Sequence, residues 1–347
     1  MQWACKAAYA TSGLLVGNYS QGYLAFDYLL NTQGLPPVPD HLWEALLTRV
    51  EPADAYDMGL VAHQANQLSR AVAALELARV GGAAGADFLL AIAVGDRGRP
   101  RQAVRNLEDV VRHRRAELGP CHPDTLAARH QWAFFTGEAG DTHAAQAAFT
   151  ELVVDTTATL GPTHTDTLAA RHQQAYFTGE AGTTQTAVRQ LRALLEDRLR
   201  LEGPDHPQVL ATRRSLIWFS SLHEDLGQAE LELQHLLQDA LRCLGPDDPH
   251  TLAIVSTQAA FAARAGRTAE AAAAFTQLVI DRSRVLGADH PHVVHTRLQR
   301  CQAWIAEGRT GEAGEELTRV LHQAQRVLES GHRHINLARI MLDELHQ

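Results

Sequence analysis

The chain has 347 residues, 45% of them hydrophobic and 20% charged, with a formal net charge of −9. That balance argues against long disorder and disfavours broad electrostatic attraction to nucleic acid or to an anionic membrane. Cys5, Cys121, Cys243 and Cys301 lie far apart with no CxxC pair, which argues against a zinc ribbon or a disulfide framework and fits a reducing compartment.

No apolar run approaches the ~20 residues that cross a bilayer. The first six residues lack the basic-then-apolar layout of a signal peptide. The expectation is a soluble, cytoplasmic protein. Residues 3–16 and 23–30 read as helices, residues 35–39 break the chain with three prolines, and residues 40–50 read as a further helix. Residues 1–51 are therefore expected to form a helical N-terminal cap. The alternative is the end of an upstream domain in a longer protein.

Beyond them the chain is periodic. Gly119, Gly161, Gly203, Gly245 and Gly287 stand 42 residues apart, and Ala103, Ala145, Ala187, Ala229, Ala271 and Ala313 keep the same interval. A fixed period of this size marks a solenoid, in which each unit buries its apolar face only by stacking on its neighbours. One unit shows the layout. His122-Pro123-Asp124 opens a first helix over residues 124–138, with proline at the position where its missing N–H costs nothing. Ala139-Gly140 ends that helix, and Asp141 or Thr142 caps a second that reaches about residue 159 before Leu160-Gly161-Pro162. No segment alternates with period two, so no strand is expected.

Small residues recur in the first helices at Gly59, Ala91, Ala133, Ala175, Ala259 and Cys301, with Ile217 the exception. The recurring alanine of the second helix follows twelve residues later, starting at Ala71, and a large apolar residue four after that: Leu75, Leu107, Phe149, Leu191, Leu233, Phe275 and Leu317. Small residues let paired helices approach, and the large one fills the gap between turns.

This small–small–large spacing resembles the tetratricopeptide repeat. The 42-residue length with its Leu-Gly-Pro connector is similar to the long-helix variety of kinesin light chains and actinobacterial regulatory proteins. The resemblance covers residues 52–335. It implies an all-α, right-handed α-solenoid of about seven helical hairpins, occupying residues 52–347, with 42-residue repeats from about residue 84 and a closing helix at 333–346. The leading hairpin is shorter, since Gly59 and Ala91 are 32 residues apart. In the resembling family the first helices line a concave surface that holds a peptide or protein segment.

Several columns run through the repeats. Arg129, Arg171, Arg213 and Arg297 form one, interrupted by Val255, and Asp155, Asp197, Asp239 and Asp281 form another. At ~100° per residue the arginines point towards the second-helix layer, so Arg–Asp pairs between layers are expected. Pairing within a repeat and pairing to the previous repeat fit the spacing equally. Arg200, Arg242, Arg284 and Arg326 close the second helices, where a cation suits the helix dipole and the exposed carbonyls. His122, His164, His206 and His290, with Asp248 in one copy, are expected to cap the helices that follow. Successive repeats stand ~10 Å apart, too far for that column to share a metal whose ligands sit at ~2 Å.

On the remaining face His130 and Phe134 stand four apart, as do His172 and Tyr176, then Arg214 and Trp218, with Gln131 and Gln173 beside them. The resemblance makes these eight residues the concave peptide-binding groove, with aromatics as anchors and His130, His172 and Arg214 as donors. The competing reading packs the aromatics against neighbouring helices. No nucleophile elbow, phosphate loop, dinucleotide fingerprint or HExxH is present; Gly137–Gly140 repeats the interhelical turn, and Glu138 with Glu180 echoes the repeat. The expectation is a non-enzymatic interaction scaffold or sensor module with a protein or peptide partner, without catalytic residues, metal or cofactor. Two alternatives are the sensing arm of a larger signalling ATPase or transcription regulator, and a metal-dependent hydrolase built on the histidines at residues 290–295 and 332–334.

Overall fold

A computed structural model describes residues 40–345, which form sixteen helices and, among the described residues, no strand. The chain divides into two compact units, Met1–Arg97 and Gly98–Gln347. The readings at residues 3–16, 23–30 and 35–39 lie outside the described residues.

The first unit contains α1 (Asp40–Leu47), α2 (Pro52–Gln64), α3 (Leu68–Val80) and α4 (Ala86–Asp96). The helix expected over residues 40–50 ends at Leu47. Trp43, Met58, Leu75, Leu90 and Val94 form its core. Gly59 permits the close contact of α2 with α3, because a Cβ there would stand 2.5 Å from Leu75 Cγ. His63 Nε2 lies 2.8 Å from Asp96 Oδ2 and ties α2 to α4.

The second unit runs from α5 (Pro100–Leu118) through five hairpins: α6 (Pro123–Glu138) with α7 (Thr142–Leu160), α8 (Thr165–Glu180) with α9 (Thr184–Leu201), α10 (Pro207–Ser220) with α11 (Leu226–Cys243), α12 (Pro249–Arg264) with α13 (Thr268–Leu286), and α14 (Pro291–Ala306) with α15 (Thr310–Val327). Helix α16 (Arg333–Leu345) follows. Each first helix starts on a side-chain cap. His122 Nδ1 accepts from the Asp124 N–H at 3.2 Å, His164 from Asp166 at 3.2 Å, His206 from Gln208 at 3.3 Å and His290 from His292 at 3.2 Å. Asp248 does the same for His250 at 2.8 Å. His332 continues the series, accepting from the His334 N–H at 3.2 Å, and was not anticipated although it stands 42 residues after His290.

Within hairpins the recurring alanines and large apolar residues are buried together, as at Ala145 with Phe149 and Ala187 with Leu191. Each such large side chain contributes roughly 1.5–3 kcal/mol of apolar transfer. Between hairpins the decisive contact is a phenylalanine laid on a glycine. A Cβ at Gly137 would stand 2.1 Å from the Phe177 ring, and one at Gly179 would stand 2.3 Å from Phe219. Gly137 is thus a packing residue inside α6 and not only part of a turn. Phe177 stacks on Phe149 of the preceding hairpin, centroids 5.7 Å apart and planes 9° from parallel.

The charge columns lie between the layers. Arg129 pairs with Asp155 at 2.6 Å, Arg171 with Asp197 at 2.8 Å and Arg213 with Asp239 at 2.8 Å, all within one repeat. Arg297 departs from the column, since Gln323 replaces the aspartate and Glu316 takes the guanidinium at 2.7 Å. Asp281, opposite Val255, accepts from Gln277 instead. The arginines closing the second helices mainly reach acids. Arg242 grips Asp205 at 2.8 and 3.1 Å, Arg284 grips Asp247, and Arg326 approaches Asp289 at 3.9 Å, each in the connector 37 residues earlier. Arg200 bonds Asp197 and the Glu196 carbonyl. These exposed pairs add little stability singly.

The second unit also closes on itself. The Glu329 N–H donates to the Gly98 carbonyl at 3.1 Å, and the Arg101 N–H donates to Glu329 Oε1 at 3.0 Å. The Arg101 guanidinium reaches the Ser330 and Gly331 carbonyls, both at 3.4 Å. Arg333, in the first turn of α16, pairs with Glu138 at the end of α6 at 3.2 Å. Gly98 has φ +93°, and a Cβ there would meet Leu328 at 2.3 Å, so the position requires glycine for both backbone and space.

Two outcomes follow. Gly137→Ala or Gly179→Ala forces a methyl into a phenylalanine ring and is expected to destabilise the unit by about 1–3 kcal/mol, read as a lower urea midpoint. Gly98→Ala should open the seam first, seen as faster amide hydrogen exchange at residues 328–333 with the hairpins α8–α13 still protected.

Candidate functional site

The face left by the packing of α6, α8 and α10 carries the eight residues singled out from sequence, and all eight are half-buried. Their aromatics divide between core and interior. Phe134 meets Phe135 edge-on at 5.2 Å, and Tyr176 meets Phe177 at 5.3 Å and Phe219 at 6.0 Å. Trp218 stacks on Phe261 of the next hairpin at 5.9 Å, with the Arg264 guanidinium 5.7 Å from its ring. Each ring therefore packs on a core phenylalanine and keeps part of its surface open.

The two histidines behave differently from surface histidines. His130 turns edge-on to Phe149 at 5.1 Å, and its Nε2 is buried without a partner. Burial, slightly eased by Asp166, pushes it down to about 4. His172 Nε2 lies 3.3 Å from Ser215 Oγ on α10, and burial followed by the Arg198 and Arg214 charges pushes it down to about 3. Both are neutral at pH 7, so the only full positive charge among the eight is Arg214. Tyr176 is raised to about 12, first by burial and then by Glu180 and Glu138, so its hydroxyl keeps its proton. Gln131 and Gln173 flank these groups as neutral donors and acceptors.

Glu138 and Glu180 face this region as well. Glu138 is held by Arg333, and Glu180 is shifted upward by burial against the pull of that same arginine. They form an electrostatic border around Tyr176. Sequence reasoning treated them only as echoes of the repeat, because the residue that joins them to the site, Arg333, lies almost two hundred positions later.

Residues 258–292 match the family model of the tetratricopeptide repeat. The other hairpins share the 42-residue register of that segment. A Rap protein complexed with competence and sporulation factor is similar in fold, with a TM-score of 0.58 at 10% identity over 99% of this chain and 96% of that one. The apo form of RapI gives 0.58 at 12% identity, covering 85% of this chain and 100% of the other. BtubC (BKLC) from P. vanneervenii gives 0.46 at 17% identity over 67% of this chain and 92% of that one. No curated protein matches the sequence. The Rap likenesses carry the fold: a tetratricopeptide-type helical solenoid.

Two other places in this solenoid invite a ligand. The first is the histidine group between α14 and α16. His295 and His334 stack at 4.9 Å, His332 and His334 lie 4.7 Å apart, and His290 and His292 stack at 5.1 Å. Among the described residues no group of three or more metal-binding side chains converges. The second is a cavity of about 470 Å³ at the seam, lined by Arg99, Arg101, Arg105, Leu328, Glu329 and Ser330. Its central guanidinium, Arg101, is already engaged with two carbonyls, and Glu329 opposes an anion there. No helix among the described residues is long and apolar enough to cross a membrane.

The repressed histidines set a pH dependence. Burial pushes His295 and His332 down to about 4 and His334 to about 2; His292, which keeps an exposed edge although helices surround it, also falls to about 4. The unfolded chain binds these protons near pH 6.5, before the folded chain does, so protons favour unfolding. Stability should be flat above pH 7 and fall progressively from about 6.5 towards 4. Asp197 and Asp239, whose carboxylates are held low by Arg171 and Arg213, add a loss in the same direction at lower pH. Melting temperature recorded from pH 8 to 4 tests this, and His172→Gln should flatten the upper part of the curve.

Proposed function

We propose that the chain is a non-enzymatic interaction module that binds a peptide or protein segment along the interior face of α6, α8 and α10. The observation that carries the reading is the row of half-buried aromatics Phe134, Tyr176 and Trp218, in register and each backed by a core phenylalanine. Such rings are rigid and already ordered, so a ligand gains apolar contact without immobilising side chains. Neutral His172, Gln131 and Gln173 supply directional hydrogen bonds, which suit the backbone of an extended segment. The tetratricopeptide fold is one that serves as a scaffold for protein contacts, and the similar Rap structure contains a bound factor. A role as the sensing arm of a larger regulator is compatible with this module and adds nothing to the chemistry of the site.

Affinity capture from a native lysate, comparing wild type with the Phe134→Ala/Tyr176→Ala/Trp218→Ala variant, tests the assignment. A partner retained by wild type should be lost or at least about tenfold weaker in the variant, since removal of a central aromatic costs about 2 kcal/mol or more. Circular dichroism must first show the variant folded, because these rings also touch the core. Equal recovery by a folded variant would remove the interior face as the interface.

A further inference from the structure

The cavity of about 470 Å³ at the seam carries more positive charge than its contacts consume. Arg99, Arg101 and Arg105 line it with Gln102 and Leu328, and Glu329 is the one acid among the lining residues. Residues 97–107 hold four arginines and no acid, in a chain whose net charge is −9. Among the described residues neither Arg99 nor Arg105 has a hydrogen bond or an ion pair. Arg101 spends its guanidinium on the Ser330 and Gly331 carbonyls, two neutral oxygens each 3.4 Å away. That is longer than a well-made N–H···O bond.

Helix α5 holds these charges together. Arg101 and Arg105 stand four apart in it, a like-charge spacing that destabilises a helix when no anion lies between them. Arg99 immediately precedes the first helical residue, Pro100, and no side chain caps that end. The dipole there favours negative charge. The Glu329 carboxylate answers it in part, accepting from the Arg101 N–H at 3.0 Å. Glu329 is thus the internal anion of a place with room and charge for a larger one, since one carboxylate faces three guanidiniums. A single phosphate fills only a small part of the cavity, and no aromatic ring lines it on which a base could stack. The lining fits a compact polyanion with several oxygens, which planar guanidinium forks can meet two at a time.

We propose that the seam cavity is a binding site for a diphosphate group, held by Arg99, Arg101 and Arg105 beside the Glu329 carboxylate. The group bridges Arg99 and Arg105 and draws the Arg101 guanidinium from its two carbonyls, because a charge-assisted bond is shorter and stronger than one to a neutral oxygen. The site is built from the start of α5 and the segment after α15. It shares no residue with the interior face of α6, α8 and α10 and does not depend on what that face binds.

The test uses the full chain, as wild type, R99Q/R105Q and E329Q, in thermal denaturation at constant ionic strength without divalent cations. The probes are pyrophosphate, orthophosphate, ADP and, as a screening control, sodium chloride. Wild type should show a saturable rise in melting temperature with pyrophosphate, at lower concentration than with orthophosphate, and none with chloride. ADP acting as pyrophosphate does identifies a diphosphate ester, and a rise with pyrophosphate alone identifies the free anion. R99Q/R105Q should melt as wild type does without probe, because neither side chain has a partner to lose. It should need at least about tenfold more pyrophosphate for the same rise, since charge-assisted contacts are removed. E329Q keeps an oxygen for the Arg101 N–H and removes the opposing charge, so it should need less pyrophosphate than wild type. The proposal is overturned by a double variant that keeps the full response, by an E329Q protein that needs more probe, or by orthophosphate acting as well as pyrophosphate. The absence of a saturable effect in wild type overturns it too.

Discussion

The stacking of one repeat on the next is the interaction from which the rest of the second unit follows. No hairpin here closes a core alone: Phe177 reaches back onto Gly137 and Phe149, and Phe219 reaches back onto Gly179. The glycines let a ring lie on bare helix backbone, which brings first helices close and sets the spacing between repeats. Because that spacing is small, the side chains left on the interior face are crowded against one another. The neutral state of His130 and His172 and the raised pKa of Tyr176 are consequences of that crowding.

Charge is sorted between the two layers. Around the second helices, arginines meet acids within a repeat, as in Arg129–Asp155, or across a connector, as in Arg242–Asp205. These pairs are partly or largely solvated, so they add little net stability and mainly favour one register over slipped alternatives. The interior is different. His130 and His172 carry no charge at neutral pH, Glu138 is paired with Arg333, and Arg214 has no ion pair among the described residues. Five of the six first-helix starts from α6 to α16 use the Nδ1 of a histidine as the cap and only α12 uses an aspartate.

Much of this architecture is written locally and repeatedly, which is why it was legible. Helix starts at His-Pro or Asp-Pro, stops at glycine, and alanine–large-residue spacing each recur within a dozen residues, so every copy corrects errors in reading another. The Arg–Asp columns were legible as columns but not as pairs, since offsets within and between repeats satisfy the same spacing. Geometry selects the pairing within the repeat because Arg129, Arg171 and Arg213 lean onto their own second helix. Gly137 looked like turn punctuation because its neighbour Gly140 is one; only the arrival of Phe177 from 40 positions later shows its other use. The seam was illegible for a stronger reason. Gly98, Arg101 and Glu329 meet once, in no repeating register, so no periodic pattern announces them.

The split use of the aromatics has a mechanical consequence. Trp218 stacks on Phe261, and Arg264 covers both rings while donating to Ser221 Oγ at 2.7 Å and to its carbonyl at 2.9 Å. These contacts join the α10–α11 hairpin to α12. Under the proposed function, a ligand on the open side of Trp218 would touch the same ring that holds two hairpins in register.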